Sequence, residues 1–115
     1  MAKHDIGPVG EIAPGQGKAY NVAGTFVVVY RLSDGYYATQ ARCPHMMGPL
    51  ARGKILDDRL VQCPLHHARF DIRSGQVVDW ANFPPGIQVL NIVRREKALS
   101  IYPVSEENGR IYVDI

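Results

Sequence analysis

The sequence predicts an all-β protein, an antiparallel β sandwich or partly open barrel that carries one inserted segment of different character. Three observations lead there. Short runs of β-branched and aromatic residues recur along the chain, with almost no helical periodicity. Turn-forming residues, 11 Gly and 8 Pro in 115 residues, separate those runs at short intervals. The stretch 42–85 stands apart, since it holds both Cys, three of the four His, five of the eight Pro and the only Trp. The chain therefore reads as a single domain, 1–115, with a base of 1–41 and 86–115 and an insertion at 42–85.

Each element has its own signal. Residues 18–22 form a short candidate strand. Residues 25–32 are branched and aromatic with apolar side chains at odd and even positions, so this strand is expected at the centre, buried on both faces. Ser33, Asp34 and Gly35 supply a turn, and 36–41 resumes the extended pattern to make a hairpin. Asp57 and Asp58 read as a surface turn, followed by three short candidates at 60–62, 68–72 and 76–79, with Ser74 and Gly75 turning between the last two. Residues 87–93 alternate well enough for a strand, and 99–104 follow. Glu107, Asn108 and Gly109 form the last turn before 110–115, which places Ile111, Val113 and Ile115 on one face. His4, near the N-terminus, is expected to be solvated.

Composition excludes several function classes. The net charge is +2, and the densest basic group, Arg94, Arg95 and Lys97, forms no stripe suited to nucleic acid. The longest strongly apolar run, 26–30, falls far short of a membrane span. Residues 1–10 carry no apolar stretch of signal-peptide length, so a cytoplasmic address is the expectation. With only two cysteines, in a reducing compartment, a structural disulfide is not expected.

The chemistry sits in two short motifs of the insertion. Cys43, Pro44 and His45 make the first; Cys63, Pro64, Leu65 and His66 make the second; 17 residues separate His45 from Cys63. Each motif offers a soft thiolate and an imidazole on a turn restricted by proline. Two thiolates and two neutral imidazoles suit either one tetrahedral zinc or a pair of irons. A catalytic Cys–His pair of Cys63 and His66 is the weaker reading, because nothing supplies an oxyanion hole or an orienting third group. Met46 and Met47 read as apolar bulk over the first loop, Leu50 and Leu65 as shields against water, and Trp80 as packed beneath the loops.

These motifs resemble the Rieske family, whose pattern is C-x-H, a spacer of similar length, then C-x-x-H. The likeness extends to Gly48, Pro49, Leu50 and Gly53 after the first motif. It continues in Ala68, Arg69, Phe70, Asp71, Ser74 and Gly75 after the second, and in the proline-bearing loop Phe83, Pro84 and Pro85. The resemblance implies one [2Fe–2S] cluster held by Cys43, His45, Cys63 and His66, with the two Cys on one iron and the two His on the other. The charge balance then explains the ligand choice. Two ferric ions, two sulfides and two thiolates sum to about zero, against about −2 for an all-cysteine centre, so adding an electron costs less. His67 stands where the family often has Gly; His66 is preferred because it fits C-x-x-H.

Two departures from the respiratory members of the family bear on the potential. Those proteins carry an extra Cys in each loop, joined as a disulfide, and here only Cys43 and Cys63 exist. They also place Ser and Tyr hydroxyls near the cluster, where this chain has Ala68 and Phe70. Fewer hydrogen bonds to sulfur stabilise the reduced state less, which implies a potential of roughly −150 mV rather than +300 mV. The resemblance is thus to the soluble ferredoxin type, which is not itself an enzyme. It implies a flavin-dependent NAD(P)H reductase as donor and a terminal oxygenase of the aromatic-ring-hydroxylating type as acceptor. A small subunit bound to the large subunit of a nitrite-reductase-type complex is an alternative, and a structural zinc-binding or regulatory module is an alternative of another class.

Overall fold

The run from Thr25 to Leu32 dictates the layering. The computed structural model of the chain describes residues 2–42, 49–64, 68–79 and 98–115. Within them, eleven strands and two short 3-10 turns occur, and the strands pair antiparallel throughout. In chain order the strands are β1 (Lys3–Pro8), β2 (Gly17–Val22), β3 (Thr25–Leu32), β4 (Gly35–Gln40), β5 (Lys54–Leu56), β6 (Leu60–Gln62), β7 (Arg69–Asp71), β8 (Val77–Asp79), β9 (Ile101–Tyr102), β10 (Val104–Glu107) and β11 (Arg110–Asp114).

They form three sheets, in the orders β1-β11-β10, β2-β3-β4-β9 and β5-β6-β7-β8. The middle sheet is covered on both sides, as the two-faced apolar pattern of β3 predicts. Val27 and Val29 point into one cluster with Val22, Ala38, Ile111 and Val113. Val28, Tyr30 and Leu32 point the other way, into a second cluster with Leu50, Val61, Cys63, Phe70 and Ile72. Successive strand residues face opposite sides, so one strand seeds both cores. The single buried polar pair at this level is satisfied: the hydroxyls of Tyr30 and Thr39 lie 2.9 Å apart. The all-β antiparallel class holds, and the arrangement is layered sheets rather than a closed barrel.

Most predicted strands fall within a residue or two of their observed bounds. Two were missed. β1 is short, charged and at a sheet edge, with only Gly7 buried, so it lacks an apolar signature. His4 lies on it opposite Val113, half-buried rather than solvated. β5 has three residues. The expected strand over 99–104 is split at Pro103, which cannot donate a ladder hydrogen bond; β9 pairs with β4, and β10 crosses to β11 in the next sheet. The strand expected over 87–93 lies outside the described residues.

A polar staple joins the middle sheet to the β5–β8 sheet. Arg73, in the β7–β8 turn, grips Asp34 of the β3–β4 turn through Nη2 at 2.7 Å and Nε at 3.3 Å, and its Nη1 donates to the Asp58 carbonyl at 2.9 Å. The Ser33 hydroxyl and backbone N–H both donate to the Asp58 carboxylate. Arg73 also stacks over the Tyr37 ring. The Arg73 guanidinium holds the Asp34 carboxyl below its ordinary range, and the Ser33 donors do the same for Asp58. A carboxylate with a depressed folded-state pKa adds stability above its unfolded pKa, and that stability is lost as pH falls through the folded value. Arg73→Gln should therefore lower the urea midpoint at pH 7, and the gap to the parent should close as pH falls below about 4. Urea titrations at pH 7, 5 and 3 measure it; a gap independent of pH would show that Arg73 acts by packing alone.

Candidate metal centre

Both motif-bearing loops spring from the same end of the molecule. β4 runs toward the first loop, and β6 runs toward the second, so the stapled turns at 33–34, 57–58 and 72–75 lie at the opposite ends of these strands. Each loop has a closed neck. At the first, Arg42 and Pro49 form an antiparallel bridge, and Leu50 N–H donates to the Ala41 carbonyl at 3.0 Å. Gln40 reinforces it: its side-chain amide donates to the Arg42 carbonyl at 2.7 Å and accepts from Ser100 N–H at 2.8 Å. At the second neck, Cys63 N–H donates to the Ala68 carbonyl at 2.8 Å, next to the paired Gln62 and Arg69. Arg69 Nε also donates to the Gln62 side chain at 2.9 Å.

Close backbone packing holds the necks side by side. After Pro49 the chain makes a 3-10 turn over Leu50–Arg52, closed by Gly53 N–H on the Leu50 carbonyl at 2.9 Å. Gly53 then lies so near β6 that a Cβ there would stand 2.2 Å from the Gln62 carbonyl oxygen. Only glycine permits that approach. Gln62 immediately precedes Cys63, so the exit of the first loop is pressed against the entry to the second.

Of the four predicted ligands, Cys63 is described, and Cys43, His45 and His66 lie outside the described residues. So do Met46, Met47, Gly48, Leu65, His67, Trp80, Phe83, Pro84 and Pro85. Cys63 is 1% exposed and belongs to the same core cluster as Leu50, Val61, Ala68 and Phe70. Leu50, expected to shield the site, is itself 1% exposed. The Ala68 and Phe70 positions are buried and bring no hydroxyl, as the sequence predicts.

This setting fits a cluster with mixed sulfur and nitrogen ligands. A buried thiol beside a second loop that carries another Cys and a His matches the soft donor set that iron–sulfur centres require. Two groups escaped the sequence reading. One is Phe26, whose carbonyl accepts from Ala41 N–H at 3.2 Å and whose side chain is 63% exposed beside the first neck. The other is the Arg73 staple. Neither pattern is local in sequence, so no motif could have announced them.

Comparison with known proteins agrees with the site. The sequence matches the profile of the Rieske [2Fe–2S] domain over residues 2–111. It is 27% identical over 108 residues to the 3-phenylpropionate/cinnamic acid dioxygenase ferredoxin subunit of Shigella flexneri, covering 94% of this chain and 89% of that one. The structure resembles the ferredoxin of carbazole 1,9a-dioxygenase from Nocardioides aromaticivorans, with TM-score 0.80, 25% identity, and 98% and 97% of the two chains covered. It also resembles a chain in the complex of reduced oxygenase and oxidized ferredoxin in carbazole 1,9a-dioxygenase, with TM-score 0.77, 25% identity, and 96% and 91% coverage. With the profile spanning nearly its whole length on this two-loop scaffold, the chain belongs to the Rieske [2Fe–2S] domain family, which implies one Rieske-type [2Fe–2S] cluster.

Proposed function

We propose that this protein is a ferredoxin that carries single electrons from a flavin-dependent NAD(P)H reductase to a terminal oxygenase of the aromatic-ring-hydroxylating type. The observation that carries the reading is mutual full-length coverage with a dioxygenase ferredoxin. In this reading Cys43 and Cys63 hold one iron, and His45 and His66 hold the other. The segment 42–85 is the cluster-binding subdomain, 1–41 and 86–115 form the base, and the protein works in the cytoplasm. When bound, the cluster supplies a one-electron acceptor and donor whose His-ligated side takes the electron more readily.

The chain's own residues set the conditions. The necks at Arg42–Pro49 and Cys63–Ala68 hold two ligand-bearing loops in register, which limits the rearrangement that electron gain and loss would otherwise require. The apolar packing around Cys63 keeps water from the thiolate side. A buried, hydroxyl-poor surround supports a potential near the low end of the Rieske range, roughly −150 mV.

The first test is anaerobic purification with iron, zinc and sulfide assays and electron paramagnetic resonance. About two irons and two sulfides per chain, with a low average g value on reduction, support the carrier. One zinc and no sulfide would overturn it, and stoichiometric co-purification with a large nitrite-reductase-type flavoprotein would make the chain a bound subunit. Cys43→Ser, His45→Ala, Cys63→Ser and His66→Ala should each abolish the reduced-state signal, whereas His67→Ala should retain it. Gly53→Ala should lower cluster occupancy, read as iron per chain, because its Cβ would push Gln62 and the Cys63 neck away. Ala68→Ser should shift the potential upward in a redox titration, because an added hydroxyl donor favours the more negative reduced state. An unchanged or lower potential would refute that account.

A further inference from the structure

We propose that Phe26, with the apolar groove beside it, docks an acidic protein redox partner. This rests on the carrier reading above and adds to it a surface and the partner's charge. Three exposed large apolar side chains occur among the described residues, and Phe26, at 63%, is the most exposed. A lone exposed apolar residue needs no explanation. Phe26 is not alone. Its ring borders a groove walled by Ala19, Val28, Ala41, Pro49 and Ala51, all small or apolar, which leave a shallow trough. Ala41 and Pro49 belong to the neck of the loop whose sequence carries Cys43 and His45, so the trough borders that neck.

Among the described residues, Arg42 lines the groove and Lys54 lines a second depression that shares Ala51, and neither lining contains a carboxylate. A cationic side chain in the trough and another beside it favour an acidic surface as a partner approaches. An aromatic anchor on a trough with a charged rim is the anatomy of a small, transient protein interface. The occupant is therefore a protein that presents an apolar projection flanked by Asp and Glu.

The test uses the cluster-loaded protein and two defined haem proteins, acidic cytochrome b5 and basic cytochrome c. Stopped-flow electron transfer from the reduced chain to cytochrome b5 should be fast at low ionic strength and slow as salt is added. Phe26→Thr, which puts a strand-favouring β-branched residue in place of the ring, should lower that rate about five- to tenfold. Lys54→Glu should lower it and flatten its salt dependence, and Ile101→Thr, an exposed apolar control on β9, should leave it unchanged. Carbodiimide cross-linking at low salt should join Lys54 to a cytochrome b5 carboxylate. Preference for cytochrome c, a cytochrome b5 rate indifferent to Phe26→Thr, or concentration-dependent self-association abolished by Phe26→Thr would each overturn the proposal. Failure of the carrier reading is distinct: a chain with no iron and no sulfide, for which no rate can be measured, would remove both.

Discussion

Burial of β3 on both faces is the constraint on which the other layers depend. Val27, Val28 and Val29 are fully buried and Tyr30 is 1% exposed, although neighbouring residues point in opposite directions. Each such side chain removed from water contributes about 1.5–3 kcal/mol, but only if something covers it. Covering one face requires β11, which brings Ile111 and Val113; covering the other requires β6 and β7, which bring Val61 and Phe70. The three-sheet order is thus the answer to one sequence feature. The same demand gives β6 and β7 a structural duty beside the two motifs: they supply the cover that one face of β3 needs.

That arrangement divides labour between the two ends of the strands. At one end, turns are tied by charge, with Arg73 reaching from the β7–β8 turn to Asp34 and to Asp58. At the other, the necks are tied by backbone hydrogen bonds and by the close approach of Gly53 to Gln62. The difference is physical. Exposed ion pairs are weak and screened by salt, so they suit a surface joint. Backbone amide bonds backed by close packing depend little on ionic strength, so they suit necks that hold two motif-bearing loops side by side.

Legibility followed how local each signal is. β3 and the two ligand motifs declared themselves because their information lies in a few adjacent residues: branched side chains in one case, Cys and His around a proline in the other. Cys63 stands in the core, 1% exposed, which its motif alone did not announce. β1 was illegible because an edge strand needs no apolar face. The break at Pro103 was legible in principle, since proline interrupts a ladder. The Arg73 staple and the Gly53 contact join residues far apart in the chain, and their meaning exists only once the sheets are stacked. The other three proposed ligands, Cys43, His45 and His66, rest on the motif and on family membership.

The surroundings of Cys63 connect fold to electron chemistry. Its neighbours in the core are the side chains that cover β3, so the packing that stabilises the fold also sets the polarity near the proposed cluster. A hydroxyl there, as the resemblance associates with high-potential relatives, would have to be accommodated in a fully buried layer. Tyr30, the hydroxyl-bearing residue among the described buried members of this cluster, is already engaged with Thr39 at 2.9 Å. The low potential proposed above therefore rests on how the domain closes its core. On that proposal the core sets the readiness to give up an electron, and the choice of partner is left to the surface around the loop necks.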